Sequence, residues 1–254
     1  MFKKAGIAAA MLGISMSSHA LLIDFETTAA GATPTDNADI GLMDTWTDGT
    51  TSVQVGFGTA ADPLTRSISA KFEQVGNADG SPFGFFNGGP SGDIDTPNTP
   101  GAMGEWFLRS NGFPADTTQT FIIDYLGAGT DGLSAQIWDI DGRNPAGSAF
   151  EAWRVDAYDI AGTLLGSQDS PVGDDGENGV LNGEPWEFGF SSGDFNGTMI
   201  SKVVISYTGD AGNVGLAFDN FNADSNALVV VPEPATVALM GLGLGALGWR
   251  RKRS

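Results

Sequence analysis

Apolar side chains between residues 21 and 223 recur at every second position in short runs, and no stretch sustains the 3.6-residue spacing of an amphipathic helix. The early runs are LLIDFE (21–26), TSVQVGF (51–57), SISAKFE (67–73), EWFLR (105–109) and TFIIDYL (120–126). Later ones are SAQIWDI (134–140), EAWRVDAYD (151–159), TLLGSQ (163–168), PWEFGFS (185–191), MISKVVISY (199–207) and GLAFDNF (215–221). Gly, Asp, Asn and Pro clusters separate them, so each run reads as one strand bounded by turns. Between two of them, IAG (160–162) is a short hairpin loop with Gly162 at the position that needs a positive φ. Many short strands with Gly-rich turns predict an all-β domain, an antiparallel, jelly-roll-like β-sandwich over 21–223. PSGDIDTPNTPGAMG (90–104) and SPVGDDGENGVLNGE (170–184) are turn-forming, acidic and poor in apolar residues, and read as surface loops.

The two ends break this pattern. Residues 1–20, MFKKAGIAAAMLGISMSSHA, join a Lys3-Lys4 start to a short apolar run and close on Ser18-His19-Ala20, the layout of a cleaved secretory signal. Export through the Sec machinery follows. Residues 224–231 form a linker, and 232–254 bring Pro232-Glu233-Pro234, an uncharged stretch from Ala235 to Trp249, and Arg250, Arg251, Lys252 and Arg253. The prolines keep any helix from extending backwards. Fifteen helical residues would span about 22 Å, short of a hydrocarbon core. The basic block would hold that short transmembrane helix at the cytoplasmic side.

Composition narrows the chemistry. The chain has no cysteine, and its one histidine, His19, lies in the signal. Nucleophilic triads built on His and zinc sites built on His or Cys are excluded from the mature domain, as are disulfides. Once the ends are set aside, residues 21–231 hold six Lys or Arg against 30 Asp or Glu, a formal charge of −24. Such a surface repels nucleic acid and attracts divalent cations.

Two acid groups are candidate Ca²⁺ ligands, since that ion takes six to eight oxygen atoms. Asp139 and Asp141 alternate onto one face at a loop mouth, with Glu151 where the chain returns. The EF-hand pattern fails there, because Arg143 and Phe150 stand where ligands belong, which favours a loop closed by pairs with Arg143 or Arg154. The second group joins the chain ends through IDFE and FDNF. In jelly-roll carbohydrate-binding modules the first and last strands are neighbours and commonly share a calcium, and Glu26 and Asp219, with Asp24, are similar to that arrangement. Ordinary strand-edge acids are the competing reading.

Aromatic residues are the remaining candidates. Trp46, Trp106, Trp138, Trp153 and Trp186, and Phe83, Phe85 and Phe86 in SPFGFFNGG, are candidates for stacking on sugar rings, although Trp153 alternates with Val155 as a core residue would. No residue is singled out as catalytic. A carboxylate pair for glycoside hydrolysis is the one enzymatic option, and so many acids make any such pair uninformative.

The tail VPEPATVALMGLGLGALGWRRKRS resembles the PEP-CTERM sorting signal of Gram-negative bacteria, with its three parts in order. That resemblance implies processing by an exosortase near Pro232-Glu233-Pro234. It also implies display or release at the surface of cells that make exopolysaccharide. SAQIWDIDGRNPAGSAFEAWRVDAYDIAGTLLG and VVISYTGDAGNVGLAFDNF are similar to β-sandwich ectodomains of other proteins with this tail, a group that implies no particular activity. The expectation is a non-catalytic surface or matrix protein. The alternatives are a module that binds the host exopolysaccharide and, third, a glycoside hydrolase.

Overall fold

A computed structural model describes residues 21–74, 104–110, 117–138, 140, 150–173, 185–210 and 217–223. The elements are β1 (Leu22–Ile23), β2 (Trp46–Thr47), β3 (Ser52–Gly58), β4 (Lys71–Gln74), β5 (Trp106–Arg109) and β6 (Thr120–Tyr125). They continue with β7 (Gly132–Trp138), β8 (Trp153–Tyr158), β9 (Leu164–Asp169), β10 (Pro185–Ser191), a 3-10 helix (Ser192–Phe195), β11 (Lys202–Tyr207) and β12 (Ala217–Asn222). All strand pairs are antiparallel. One sheet runs β10-β7-β12-β5-β4 with β1 also on β12, and the other runs β2-β3-β6-β11-β8-β9. The predicted sandwich is therefore the observed one. The terminal segments expected to be helical fall outside the described residues, and no described helix is long and apolar enough to cross a membrane.

Period-two alternation creates the core. In β8, Trp153, Val155 and Ala157 point inward while Arg154, Asp156 and Tyr158 point out. Phe121, Ile123, Val155 and Ile205 of the second sheet face Leu108, Ile137, Phe188 and Phe218 of the first. Phe121 and Phe218 stack across the gap with centroids 4.3 Å apart. Each such side chain contributes about 1.5–3 kcal/mol by burial, so a chain without disulfides can rest on this layer. The Ile160–Gly162 turn closes as expected, with Gly162 at φ +79° and its amide donating to Asp159 O.

The central strands of the first sheet are buried on both faces. Trp106 and Leu108 join the core, whereas Phe107 and Arg109, on the other face, are also buried. Trp138, Ala217 and Asp219 share that second face by register and are equally inaccessible. Both edges of the first sheet are partly covered. Asn37 N donates to Phe72 O and Ile40 N to Ala70 O along β4. At the far side the Gln168 carboxamide of β9 makes two bonds to the Gly189 peptide of β10, at 2.6 and 3.2 Å, as a strand neighbour would.

Candidate functional site: the seam between the chain ends

Strand β12 has β7 along one edge and two partners in line on the other. Leu22 and Ile23 of β1 pair with Asn222 and Phe221, and Leu108 of β5 pairs with Phe218. Both registers run toward Asn220, so β1 and β5 meet end to end beside it. The β12–β7 register shifts between Asp219 and Asn222, a bulge in which Asn220 takes φ +54°. Opposite it Phe25 takes φ +53° and turns the chain out of β1. A left-handed phenylalanine costs about 1–2 kcal/mol. Its ring is fully buried in edge contacts with Trp46, Phe221 and Phe72, at 5.8, 5.4 and 6.3 Å, which offsets that cost.

Three expected acids reach this seam. Glu26 Oε1 accepts from the amides of Glu105 at 2.6 Å and Trp106 at 3.1 Å, tying the end of β1 to the start of β5. Gly104 makes room for it: its φ is +74°, and a Cβ there would lie 2.0 Å from Glu26 Oε1. Asp24 Oδ1 accepts from the Glu26 amide at 3.2 Å. Asp219 is completely buried, and accepts from the Asn220 amide at 2.7 Å and more weakly from the Asn220 carboxamide at 3.3 Å. Burial pushes the Asp219 carboxyl well above the usual carboxylate range; the Asn220 amide opposes this, and the charges of Asp24 and Glu26 add to it.

Among the described residues no Lys or Arg pairs with Asp219. Among the described residues every Lys and Arg is engaged elsewhere: Arg66 and Lys202 with Asp124, Lys71 with Asp39, Arg109 with Glu73, and Arg154 with Asp156 and Asp169. The Arg109–Glu73 pair, 2.6 Å apart, is itself buried. The structure thus sets Asp24 and Glu26 near enough for their charges to act on Asp219, and gives Glu26 a task that sequence reasoning missed. Among the described residues no group of three or more acids is gathered closely enough to hold a metal ion as it stands. Of the other expected group, Asp139 and Asp141 lie outside the described residues, and Glu151 is buried, its carbonyl accepting from Gly173 N.

The tryptophans are mostly structural. Trp46, Trp106, Trp138 and Trp153 are buried, leaving Trp186 half-buried on β10, and Phe83, Phe85 and Phe86 are outside the described residues. An open cleft of about 320 Å³ at one end of the second sheet escaped the sequence reading. Tyr158, Leu126 and the well-exposed Ile160 line it with Asp124, Ser201 and Lys202. Burial raises the Tyr158 phenol pKa, with Asp156 adding to the effect, so the hydroxyl remains a donor at neutral pH. These residues come from different strands and a hairpin, a convergence that local sequence does not display.

Comparison with known proteins locates a function at the tail rather than in the sandwich. No curated protein matches the chain. Among solved structures, a glycoside hydrolase family 43 arabinoxylan arabinofuranohydrolase from Bacillus subtilis, in complex with cellotetraose, aligns at 14% identity and a TM-score of 0.31. The alignment covers 80% of this chain and 33% of that one, and at that score it carries no argument. Residues 230–253 match the model for the PEP-CTERM protein-sorting motif. Pro232, Glu233, Pro234, Arg250, Arg251, Lys252 and Arg253 fall within that match, outside the described residues. The chain is a β-sandwich carrying a PEP-CTERM sorting motif, the mark of an exported protein handled by an exosortase.

Proposed function

We propose that the protein is a non-catalytic component of the cell surface or extracellular matrix. It is held briefly in the inner membrane by its tail and then processed near Pro232–Pro234. The sorting motif carries this reading. Support comes from the mature domain, whose described cations all serve internal ion pairs and whose sequence lacks His and Cys. A domain so constituted has no imidazole or thiol for a His- or Cys-based nucleophile–base pair, which leaves its carboxylates as the one enzymatic option. Deleting Pro232 to Pro234 and following size and location in fractions of an exosortase-positive cell tests the proposal. Accumulation of an unprocessed, membrane-bound form is expected, and unchanged processing and location would refute it.

Binding of the host exopolysaccharide is the second reading, supported by the Tyr158 cleft. A phenol face beside Ile160 and Leu126 offers an apolar surface for a sugar ring, while Asp124 and Lys202 flank it with polar groups. Retention of the purified protein on immobilised host polysaccharide, weakened at least tenfold in Tyr158→Ala, is the expected outcome. No retention with or without calcium eliminates this reading. Release of reducing sugar from the same polysaccharide would overturn the non-catalytic assignment in favour of a carboxylate-dependent hydrolase.

A further inference from the structure

The connection between β10 and β11 reads Ser192-Gly-Asp-Phe-Asn-Gly-Thr198. Within it Asn196-Gly197-Thr198 is an Asn-x-Thr acceptor sequence, and no other asparagine in the chain has Ser or Thr two residues on. Such a triplet is informative only where an enzyme can reach it. Here Asp194, Asn196, Gly197, Thr198 and Met199 are consecutive or near-consecutive exposed residues. Asn196 ends the 3-10 helix at φ +54° and Gly197 follows at φ +81°, so the backbone reverses direction at the acceptor. The turn is held from below. Asn196 N and Gly197 N both donate to Ser192 O, Thr198 N donates to Phe195 O, and Phe195 packs on Phe190 at 6.0 Å and against Gly166.

A left-handed helix cap alone would account for the asparagine. It accounts for neither neighbour: the Thr198 hydroxyl and the Asp194 carboxylate make no side-chain bond within the described residues, and the Asn196 carboxamide is likewise unengaged. Three polar side chains on one rigid, solvent-facing turn are thus available to an outside partner.

We propose that Asn196 is an acceptor for N-linked glycosylation, taking an oligosaccharide from a polyprenyl-diphosphate donor. The step needs no redox partner. Asn196 Nδ2 attacks C1 of the first sugar, the Nδ2–C1 bond forms, and the C1–O bond to the diphosphate breaks. Polyprenyl diphosphate leaves with the electron pair, and one amide proton passes to a base of the transferase. The Thr198 hydroxyl, two residues on, is the recognition group, and the Asp194 carboxylate offers a contact to a cationic cleft. The attached glycan would project over the edge where β9 and β10 abut. This inference rests on the export reading above, because the acceptor must meet the donor outside the cytoplasm.

The test is intact-mass and peptide mapping of the full-length protein, expressed in its own host and recovered from cytoplasmic, membrane and external fractions. A peptide spanning Asn196 heavier by whole glycosyl residues is expected, with the addition lost in Asn196→Gln and Thr198→Ala and kept in Thr198→Ser. Exported protein with an unmodified Asn196, with only amide-to-acid conversion there, or with an addition that survives Asn196→Gln overturns the proposal. Protein confined to the cytoplasm refutes export instead. In that event the same variants, carried behind an established export signal in a cell with a lipid-linked oligosaccharide transferase, decide the question by the same peptide.

Discussion

Replacing Asp219 by Asn stabilises the metal-free protein at neutral pH, although the residue is buried and hydrogen-bonded. Among the described residues its carboxylate has no cationic partner, two anionic neighbours in Asp24 and Glu26, and one good donor, the Asn220 amide. An asparagine keeps that bond through Oδ1 and forgoes the charge. The sign follows from proton linkage. Because the folded-state pKa lies above the ordinary 3.8, the folded protein binds this proton more tightly than the unfolded chain does. The stabilisation is complete below the unfolded value and is lost as pH rises through the folded one. Within that window the wild type loses up to about 1.4 kcal/mol per pH unit at this site. For a domain of this size that is a melting shift of about 3–6 °C per unit. Thermal melts of both proteins in EDTA, at half-unit steps from pH 3 to 8, isolate the residue, since the other acids cancel in the difference. Asp219→Asn should match the wild type near pH 3 and exceed it progressively above pH 4. Equal or lower stability of the variant at pH 7 would refute the view that this charge is uncompensated.

Calcium should invert that order. If the seam closes around the ion through Asp219, Glu26 and Asp24, the wild type gains about 2.7 kcal/mol at a hundred times Kd and Asp219→Asn gains nothing, whereas a rise reproduced by sodium chloride at equal ionic strength removes the site. Arg109→Ala strands the buried Glu73 carboxylate and should cost about 3–5 kcal/mol, read as a lower midpoint in urea; a loss under 1 kcal/mol would mean that the pair is solvated. Gly104→Ala must both adopt a positive φ and push Glu26 off the Glu105 and Trp106 amides, so destabilisation of about 1–3 kcal/mol is expected. If Glu26→Ala removes that penalty in the double variant, the clash is confirmed as its source; if the two losses add, it is not.

The sandwich was legible because its information is local. Each strand carries its own alternation and is bounded by its own Gly or Asn, so TFIIDYL and PWEFGFS fell within a residue of β6 and β10. The strand that escaped, Trp46–Thr47, is two residues long and has no period to detect. The sequence also brought the chain ends together correctly, from the likeness of IDFE and FDNF to paired terminal strands. What stayed hidden is nonlocal. Glu73 in SISAKFE alternates as a solvent-facing acid would, and only the packing of the sheet's second face buries it against Arg109. Asp219 is hidden in the same way, because a left-handed asparagine and a bulge leave no periodic trace. The cleft at Tyr158 belongs to no single segment. It exists only once β6, β8 and β11 lie side by side.

The placement of β12 has a mechanical consequence. Residues 224–254 continue directly from the strand, so any tension borne by the tail enters the domain at Ala223, whose amide is bonded to Leu21 O. That strand lies inside its sheet, hydrogen-bonded to β7 on one edge and to β1 and β5 on the other. Drawn lengthwise, it must break ladders on both sides together and withdraw Phe218 and Phe221 from the core, instead of peeling from an edge one bond at a time. A sandwich sorted by its C-terminus is in this way gripped by a strand suited to resist the pull.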